Sequence, residues 1–185
     1  MSLKHGLLGL LNYGVMSGYE LNKAFNASLG FFWQGQASQI YRELAAMERS
    51  GWLTSERVVQ EDKPSKKLYA LTEAGKKALA EWLADPDGGV AEALRVRSAF
   101  LMRVFFGGET PPVETIALIR AFRDESEKAL RALGATSASV AEYAQTVPDE
   151  NKIKYWRLVA KFGDGYYRAA VEWARKALAE LEAKL

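Results

Sequence analysis

The chain of 185 residues contains no cysteine and a single histidine, His5. Without cysteine, a disulfide framework, a thiolate metal site and a cysteine nucleophile are all excluded. A histidine-based triad would have to be built on the first predicted helix, and no glycine-rich phosphate loop follows a predicted strand. These absences argue against an enzyme and against any metal or cofactor. The lack of cysteine also makes the cytoplasm the expected location.

Long apolar runs and a large excess of charge are missing as well. No apolar run approaches the roughly 18 to 20 residues that span a bilayer, so we expect no membrane segment. The formal net charge is only +2 at pH 7. That excess lies in residues 1–84, which carry 10 lysines and arginines against 8 acids, whereas residues 85–185 carry 15 of each. The placement of charge must therefore decide whether nucleic acid is a partner.

The apolar content of 49% is sufficient for a core, and one segment divides it. The run DPDGG at 85–89 combines two acids, a proline and two glycines, which is typical of a linker. We predict an N-terminal domain at 1–84, a linker at 85–89 and a helical C-terminal domain at 90–185. The predicted fold class is mainly α with one small β-hairpin.

The first domain is predicted to contain three helices, a hairpin and a fourth helix. Ser17 and Glu20 form a capping box that starts the second helix, and Gly51 ends the third. The runs WLTSERVVQ and KLYAL alternate toward a period of two around the polar EDKPSK, which predicts the hairpin. Thr72 then caps the fourth helix. This order is the winged helix-turn-helix layout, in which the helix before the hairpin enters the DNA major groove.

The third helix, within ASQIYRELAAMERSGWL, has two unlike sides. Three apolar residues recur at helical spacing and predict a buried stripe: Ile40, Leu44 and Met47. The opposite side carries short or cationic residues: Ser38, Arg42, Ala45, Ala46 and Arg49. A helix fits the major groove when its outward side chains are short where the backbone is close and carry donors where bases are read. The sequence therefore allows this side to face DNA.

Four residues of this helix are candidate DNA contacts. Ser38 and Gln39 lie in the first turn, and glutamine can bond adenine through two hydrogen bonds. Arg42 can reach guanine or a phosphate. Tyr41 lies at the edge of the apolar stripe, so its ring can pack inward while its hydroxyl points to the DNA backbone.

Three lysines of the predicted wing are candidate phosphate contacts: Lys63, Lys66 and Lys67. Each such contact would release counterions and make the affinity fall with salt. Glu61 and Asp62 stand beside them and would repel phosphate. An ordinary solvated surface is the alternative for the lysines, Arg42 and Arg49, and a core aromatic is the alternative for Tyr41.

The second domain is predicted as helices near 91–106, 111–133, 137–146 and from 149 to the end, with Gly134 ending the second. Apolar residues recur through some seven turns of the last helix: Trp156, Val159, Phe162, Tyr166, Ala170, Trp173, Ala177 and Leu181. A stripe of this length predicts a homodimer, and its coverage by the helix at 111–133 of the same chain is the alternative. We assign the dimer interface to six residues: Val159, Phe162, Tyr166, Trp173, Ala177 and Leu181.

Six of the 21 aromatic residues lie between positions 155 and 173. Such crowding can line a pocket for a flat apolar ligand. The candidate pocket residues are Tyr155, Trp156, Phe162, Tyr166 and Trp173. A small aromatic effector is therefore a candidate partner, with ordinary helix packing as the alternative.

Two runs, SQIYRELAAMERSGWL and KKLYALTEAGKKAL, carry a recognisable pattern. Its positions are Tyr41, Leu44, Met47, Glu48, Gly51, Tyr69, Leu71, Thr72 and Gly75. In these residues the chain resembles the PadR family of bacterial transcriptional regulators, and RSAFLMRVFFGG with the long last helix is similar to the family's virulence-activator branch. The resemblance implies a homodimer that binds an inverted-repeat operator, dimerises through its C-terminal helices and, in several members, takes a small effector.

We therefore expect a DNA-binding transcriptional regulator, a repressor, that binds double-stranded DNA as a homodimer. The alternative is a winged-helix module that binds protein. A salt-dependent and sequence-selective affinity for duplex DNA would distinguish the two.

Overall fold

The computed structural model describes residues 3–30, 32–33, 35–59, 65–86, 88–93, 97–144 and 149–183. The chain divides into two compact units, Met1–Leu94 and Arg95–Leu185. The first contains α1 (Leu3–Leu11), β1 (Met16–Ser17), α2 (Gly18–Ser28), α3 (Ala37–Arg49), β2 (Leu53–Val58), β3 (Lys66–Leu71), α4 (Glu73–Leu83) and α5 (Val90–Ala93). The second contains α6 (Ala99–Phe105), a 3₁₀ helix (Gly107–Glu109), α7 (Pro112–Ala144) and α8 (Glu150–Glu182). Of the helices in these described ranges, none combines the length and apolar character that crossing a membrane requires.

The predicted helix boundaries of the first unit are confirmed by their caps. The Ser17 backbone N–H donates to Glu20 Oε2 at 2.7 Å, and the Glu20 N–H donates to Ser17 Oγ at 3.3 Å. Thr72 Oγ1 accepts from the Gly75 N–H at 3.0 Å and donates to the Gly51 carbonyl at 2.7 Å. Gly51 has φ +72°, which favours glycine, and it follows the end of α3.

The predicted hairpin is present, and a third strand joins it. β2 pairs antiparallel with β3, and β1 pairs with the other edge of β3, giving the order β1-β3-β2. The strand β1 was not predicted, since two residues are too few to show a period of two. Helices with this small antiparallel sheet form the winged-helix fold.

The core of the first unit contains the predicted stripe of α3 together with apolar residues from its neighbours. The buried residues are Leu7, Leu8, Leu11, Leu21, Phe25, Ile40, Leu44, Met47, Leu53, Tyr69 and Leu79. Ile40 and Leu44 are fully buried, and burial of each contributes about 1.5 to 3 kcal/mol. This anchoring fixes which side of α3 faces away from the core.

Two helix predictions for the C-terminal domain predicted at 90–185 are wrong. The single helix predicted at 91–106 is replaced by α5 and α6, because Ser98 has an extended backbone and its Oγ accepts from the Leu101 N–H at 3.2 Å to start α6. Gly134 does not end a helix, and the two segments predicted at 111–133 and 137–146 join into α7 through Ala144. One glycine inside a helix costs about 1 kcal/mol relative to alanine, which packing along a long helix can offset.

The second unit is built on an antiparallel pair of long helices, α7 and α8. Arg120 pairs with Glu182 at 2.6 Å and Glu127 pairs with Arg175 at 2.7 Å, so α8 runs back along α7. Between the helices lies a small core: Ile116, Ile119, Ala174 and Leu178, with Phe100, Val104, Phe122, Ala177 and Leu181 packed against it. Asp149 caps α8 as its Oδ1 accepts from the N–H groups of the first turn.

Candidate nucleic-acid interface

The outward side of α3 is composed as the sequence predicts. Ser38, Arg42 and Arg49 are exposed. Ala45 and Ala46 between them are half-buried, and they add only methyl groups to this side. We name the side that carries Ser38, Arg42 and Arg49 the reading face.

Arg42 is the residue of the reading face best suited to contact DNA. Its guanidinium is exposed and makes no ion pair with any residue that the structure describes. Arg49, the last residue of α3, is also exposed and makes no ion pair with any residue in the described ranges. Both arginines can therefore bind a phosphate or a base without first breaking an ion pair.

The two candidate contacts in the first turn of α3 differ in their exposure and hydrogen bonding. Ser38 is exposed, whereas Gln39 is half-buried and its Oε1 accepts a hydrogen bond from the Gln36 N–H at 3.2 Å. Gln39 would have to release this bond to read adenine through both its amide atoms. Ser38 is thus ready for a base contact in this conformation, and Gln39 is not.

Tyr41 lies against the start of α2. A Cβ atom added at Gly18 would come within 2.5 Å of Tyr41 Cε1, so the ring occupies the space that a side chain at Gly18 would need. The ring is nevertheless about half exposed. The packing of the ring agrees with its predicted position at the edge of the stripe, and its role at DNA stays a prediction.

The described wing lysines are each paired with an acid. Lys66 Nζ lies 3.7 Å from Glu20 Oε1, and Lys67 Nζ lies 2.7 Å from Glu48 Oε2. Lys63, together with the acids predicted beside it, lies outside the described residues. Lys66 and Lys67 would have to exchange a carboxylate for a phosphate in order to contact DNA.

The pairing of the two acids affects their ionisation. Hydrogen bonds from Ser17 hold the pKa of Glu20 below its usual value, with a smaller effect of Lys66. Hydrogen bonds from Lys67 and then Ser55 lower the pKa of Glu48, and Glu48 in turn raises the pKa of Lys67. Glu20, Glu48 and Lys67 therefore stay charged near neutral pH.

Glu48 and Glu20 were not singled out from the sequence as site residues. The signal for Glu48 was available, because residues seven apart lie on one flank of a helix and Glu48 follows Tyr41 at that spacing. Glu20 was interpreted from the sequence only as part of a capping box, so its second contact, with Lys66, was not predicted. Neither partner lysine could be assigned without the strand register.

The predicted dimer residues of α8 divide into two groups. Val159, Phe162 and Tyr166 are 42%, 74% and 61% exposed. Ala177 and Leu181 are half-buried and pack against the core between α7 and α8. The alternative of coverage within the chain thus applies to the end of the stripe, whereas the middle is left uncovered, and a dimer contact for each residue stays a prediction.

The predicted pocket residues are spread along α8 and lie in different surroundings. Positions 155 and 173 are about 27 Å apart along a helix that rises about 1.5 Å per residue, which is too far for one small ligand to contact both. The ring of Trp173 stands edge-on to Phe100 and Phe122, with centroids 5.8 Å away in each case. Trp156 is half-buried, and Tyr155, Phe162 and Tyr166 are exposed. Trp173 therefore belongs to an aromatic packing cluster.

Metal ligands do not cluster in the described parts of the chain, since no three His, Asp or Glu side chains there lie close enough together to hold an ion. His5, the single histidine, stacks on Trp82 with ring centroids 4.7 Å apart. Burial and then the positive charge of Lys4 lower the pKa of His5.

Comparison with known proteins identifies both halves of the chain. The description "Transcriptional regulator PadR-like family" matches residues 7–81, and "Virulence activator alpha C-term" matches residues 96–182. The probable transcriptional regulator Rv1176c of Mycobacterium tuberculosis is 42% identical over 86 residues, which is 46% of either chain. The negative transcriptional regulator PadR of Bacillus subtilis is 43% identical over 81 residues, which is 44% of either chain. In these alignments the chain spans about half the length of the curated relatives it matches.

Solved structures resemble the chain over nearly its full length. Bacillus subtilis PadR in complex with operator DNA has a TM-score of 0.77 and 27% identity, covering 98% of this chain and 99% of that chain. The Vibrio cholerae virulence activator AphA has a TM-score of 0.75 and 27% identity, covering 100% of both. Bacillus subtilis PadR in complex with p-coumaric acid has a TM-score of 0.72 and 26% identity, covering 97% and 95%. Since the two family descriptions match both units, this protein belongs to the PadR-like family of transcriptional regulators.

Proposed function

We propose that this chain binds operator DNA and regulates transcription by placing the reading face of α3 in the major groove. The observation that carries this proposal is the contrast across α3. One side is anchored by buried Ile40 and Leu44, whereas the other presents Ser38 and Arg42 to solvent. Among the described residues, Arg42 has no ion-pair partner. The relative solved with operator DNA supports the same use of the fold.

Two copies of the chain are needed for a selective contact. One short helix makes few base contacts, and a good bidentate pair contributes only about 1 to 3 kcal/mol of discrimination. The uncovered middle of the α8 stripe, around Phe162, supports a homodimer. A two-fold dimer would place its reading faces about 34 to 36 Å apart, which corresponds to an inverted repeat. We propose repression as the outcome, supported by the curated relative named a negative regulator.

A small aromatic effector is part of the proposal. Its support is the structure of Bacillus subtilis PadR with p-coumaric acid and the exposed aromatic residues of α8. An effector changes DNA affinity only by binding two arrangements of the protein unequally, and typical couplings are about 1 to 3 kcal/mol. Titration with a panel of phenolic acids, followed by tryptophan fluorescence and operator binding, tests it. If no compound of the panel changes either the fluorescence or the operator binding, effector control is refuted.

DNA binding itself is tested with duplex fragments from the organism's own genome and fluorescence anisotropy at several salt concentrations. A regulator should prefer some fragments strongly and lose affinity as salt rises. A winged-helix module that binds protein should show neither property. We also propose a cytoplasmic location and no catalytic activity, because a regulator that acts on chromosomal DNA works in the cytoplasm and needs no catalysis.

A further inference from the structure

A carboxylate on the flank of α3 connects this helix to the wing. Glu48 Oε2 accepts a hydrogen bond from Lys67 Nζ at 2.7 Å, and Glu48 Oε1 accepts one from Ser55 Oγ. Ser55 belongs to β2 and Lys67 to β3, so a single side chain joins the helix to both strands of the hairpin. In the described structure this is the contact that ties the C-terminal half of α3 to the wing through polar groups on two strands.

The same contact occupies the charge of Lys67. Its ammonium lies 2.7 Å from the Glu48 carboxylate and 5.3 Å from the centroid of the Tyr69 ring. An ammonium paired in this way would have to leave its carboxylate before it could neutralise a phosphate and release a counterion. Without Lys67, the Glu48 carboxylate would keep only its hydrogen bond from Ser55, and its uncompensated charge would repel phosphate.

We propose that Glu48 is a positioning residue for DNA recognition, which sets the wing against α3 through Ser55 and Lys67, and that Lys67 acts through Glu48. This inference rests on the proposed DNA binding. Both side chains are partly exposed, so the pair adds little to the stability of the fold. Its effect is geometric, because base contacts require their supporting groups to be held within about 0.5 Å.

The test uses full-length protein and a duplex of about 30 base pairs that the wild-type protein has enriched from a random pool. A scrambled duplex of the same composition measures non-specific binding, and the ratio of the two affinities is the readout. Lys67→Glu should lower this ratio by at least about tenfold, because two acids in contact repel each other and no longer hold the wing against α3. Adding Glu48→Lys restores an oppositely charged pair, and it should bring the ratio back to within about threefold of wild type.

A matched control separates the pair from net charge. Glu43 lies on the same helix and makes no ion pair with any described residue. Lys67→Glu combined with Glu43→Lys has the same net charge as the exchanged pair, but its new lysine is not at position 48, where the contact with residue 67 is made. It should leave the ratio as low as Lys67→Glu alone. Equal recovery in the two double variants, or no recovery in either with thermal melting unchanged, would overturn the proposal.

The salt dependence gives a second and independent readout. Glu48→Gln with Lys67→Gln removes both charges and keeps the net charge of the protein. If Lys67 makes no phosphate contact, the slope of log affinity against log salt should equal that of wild type. A slope reduced by about 0.9 would assign a phosphate contact to Lys67 and contradict the inference. If the wild-type protein enriches no sequence at all, the proposed DNA binding fails before this inference is reached.

Discussion

Replacing Phe162 by alanine should weaken self-association of the chain. Phe162 lies in the uncovered middle of the α8 stripe, and 74% of it is exposed. Full burial of a phenylalanine contributes about 1.5 to 3 kcal/mol, so covering the exposed part in both copies of a two-fold dimer contributes about 2 to 4 kcal/mol. The dissociation constant of the dimer should therefore rise at least about thirtyfold.

Sedimentation equilibrium from nanomolar to micromolar concentrations measures this change. The wild-type protein should reach twice the chain mass of 20.5 kDa at concentrations where Phe162→Ala remains at 20.5 kDa. Tyr19→Ala is the matched control, since Tyr19 is 70% exposed on α2 and lies outside the stripe. An unchanged dissociation constant for Phe162→Ala, or a wild-type chain that stays monomeric, would refute the assignment of the stripe to a dimer interface.

Three further predictions concern the first unit. Arg42→Ala should weaken operator binding by about 1 to 3 kcal/mol at fixed salt, whereas Lys77→Ala on the exposed side of α4 should not; anisotropy titrations with equal affinities for the two variants would exclude Arg42. Gly18→Ala should displace the Tyr41 ring, because the new Cβ would lie within 2.5 Å of it, and should lower operator affinity as Tyr41→Ala does; a Gly18→Ala protein with wild-type affinity would remove Tyr41 from the contact. The pKa of His5 is lowered by burial and by Lys4, so the fold favours the neutral imidazole. The stability that this preference contributes is complete above pH about 6.5 and is lost as the pH falls below that value. Urea unfolding from pH 7 to 5 should therefore show a smaller loss of stability for His5→Phe than for wild type, and identical losses would contradict this prediction.

The first unit could be predicted from sequence because its local signals agree with its packing. Short segments determine several of its features, namely the helix caps at Ser17 and Thr72 and the positive φ of Gly51. Such features can be recognised in the sequence without knowledge of the tertiary packing. The stripe of α3 likewise needs only helical spacing to be recognised. The strand β1 escaped prediction because its two residues become a strand only through pairing with β3.

The second unit was harder because long helices tolerate local exceptions. Gly134 is a poor helix residue, yet α7 continues past it, since the helix is stabilised along its length by α8 rather than residue by residue. Ser98 was a usable capping signal, but apolar residues on both sides of it favoured one continuous helix. On α8 the buried and exposed apolar residues lie on adjacent sides, and spacing alone merged them into one stripe.

In the candidate site, too, residues placed by a single helix could be predicted, whereas contacts made through tertiary packing could not. Arg42 and Ser38 could be placed on the reading face from periodicity, because that face depends on one helix. The environment of Lys67 could not, because its partner Glu48 lies 19 residues earlier and reaches it only through the packing of α3 on the sheet. The sequence shows how many lysines the wing carries, but it does not show which of them are already paired with an acid of the same chain.

Selection of bound sequences from a random duplex pool, with wild type and Arg42→Ala in parallel, tests the use of α3 most directly. We expect the wild-type protein to enrich an inverted repeat with half-sites about 10 base pairs apart. Arg42→Ala should lose its preference at one base pair in each half-site, placed symmetrically, and keep the others. Identical preferences for the two proteins, or no enriched sequence with either, would contradict the account.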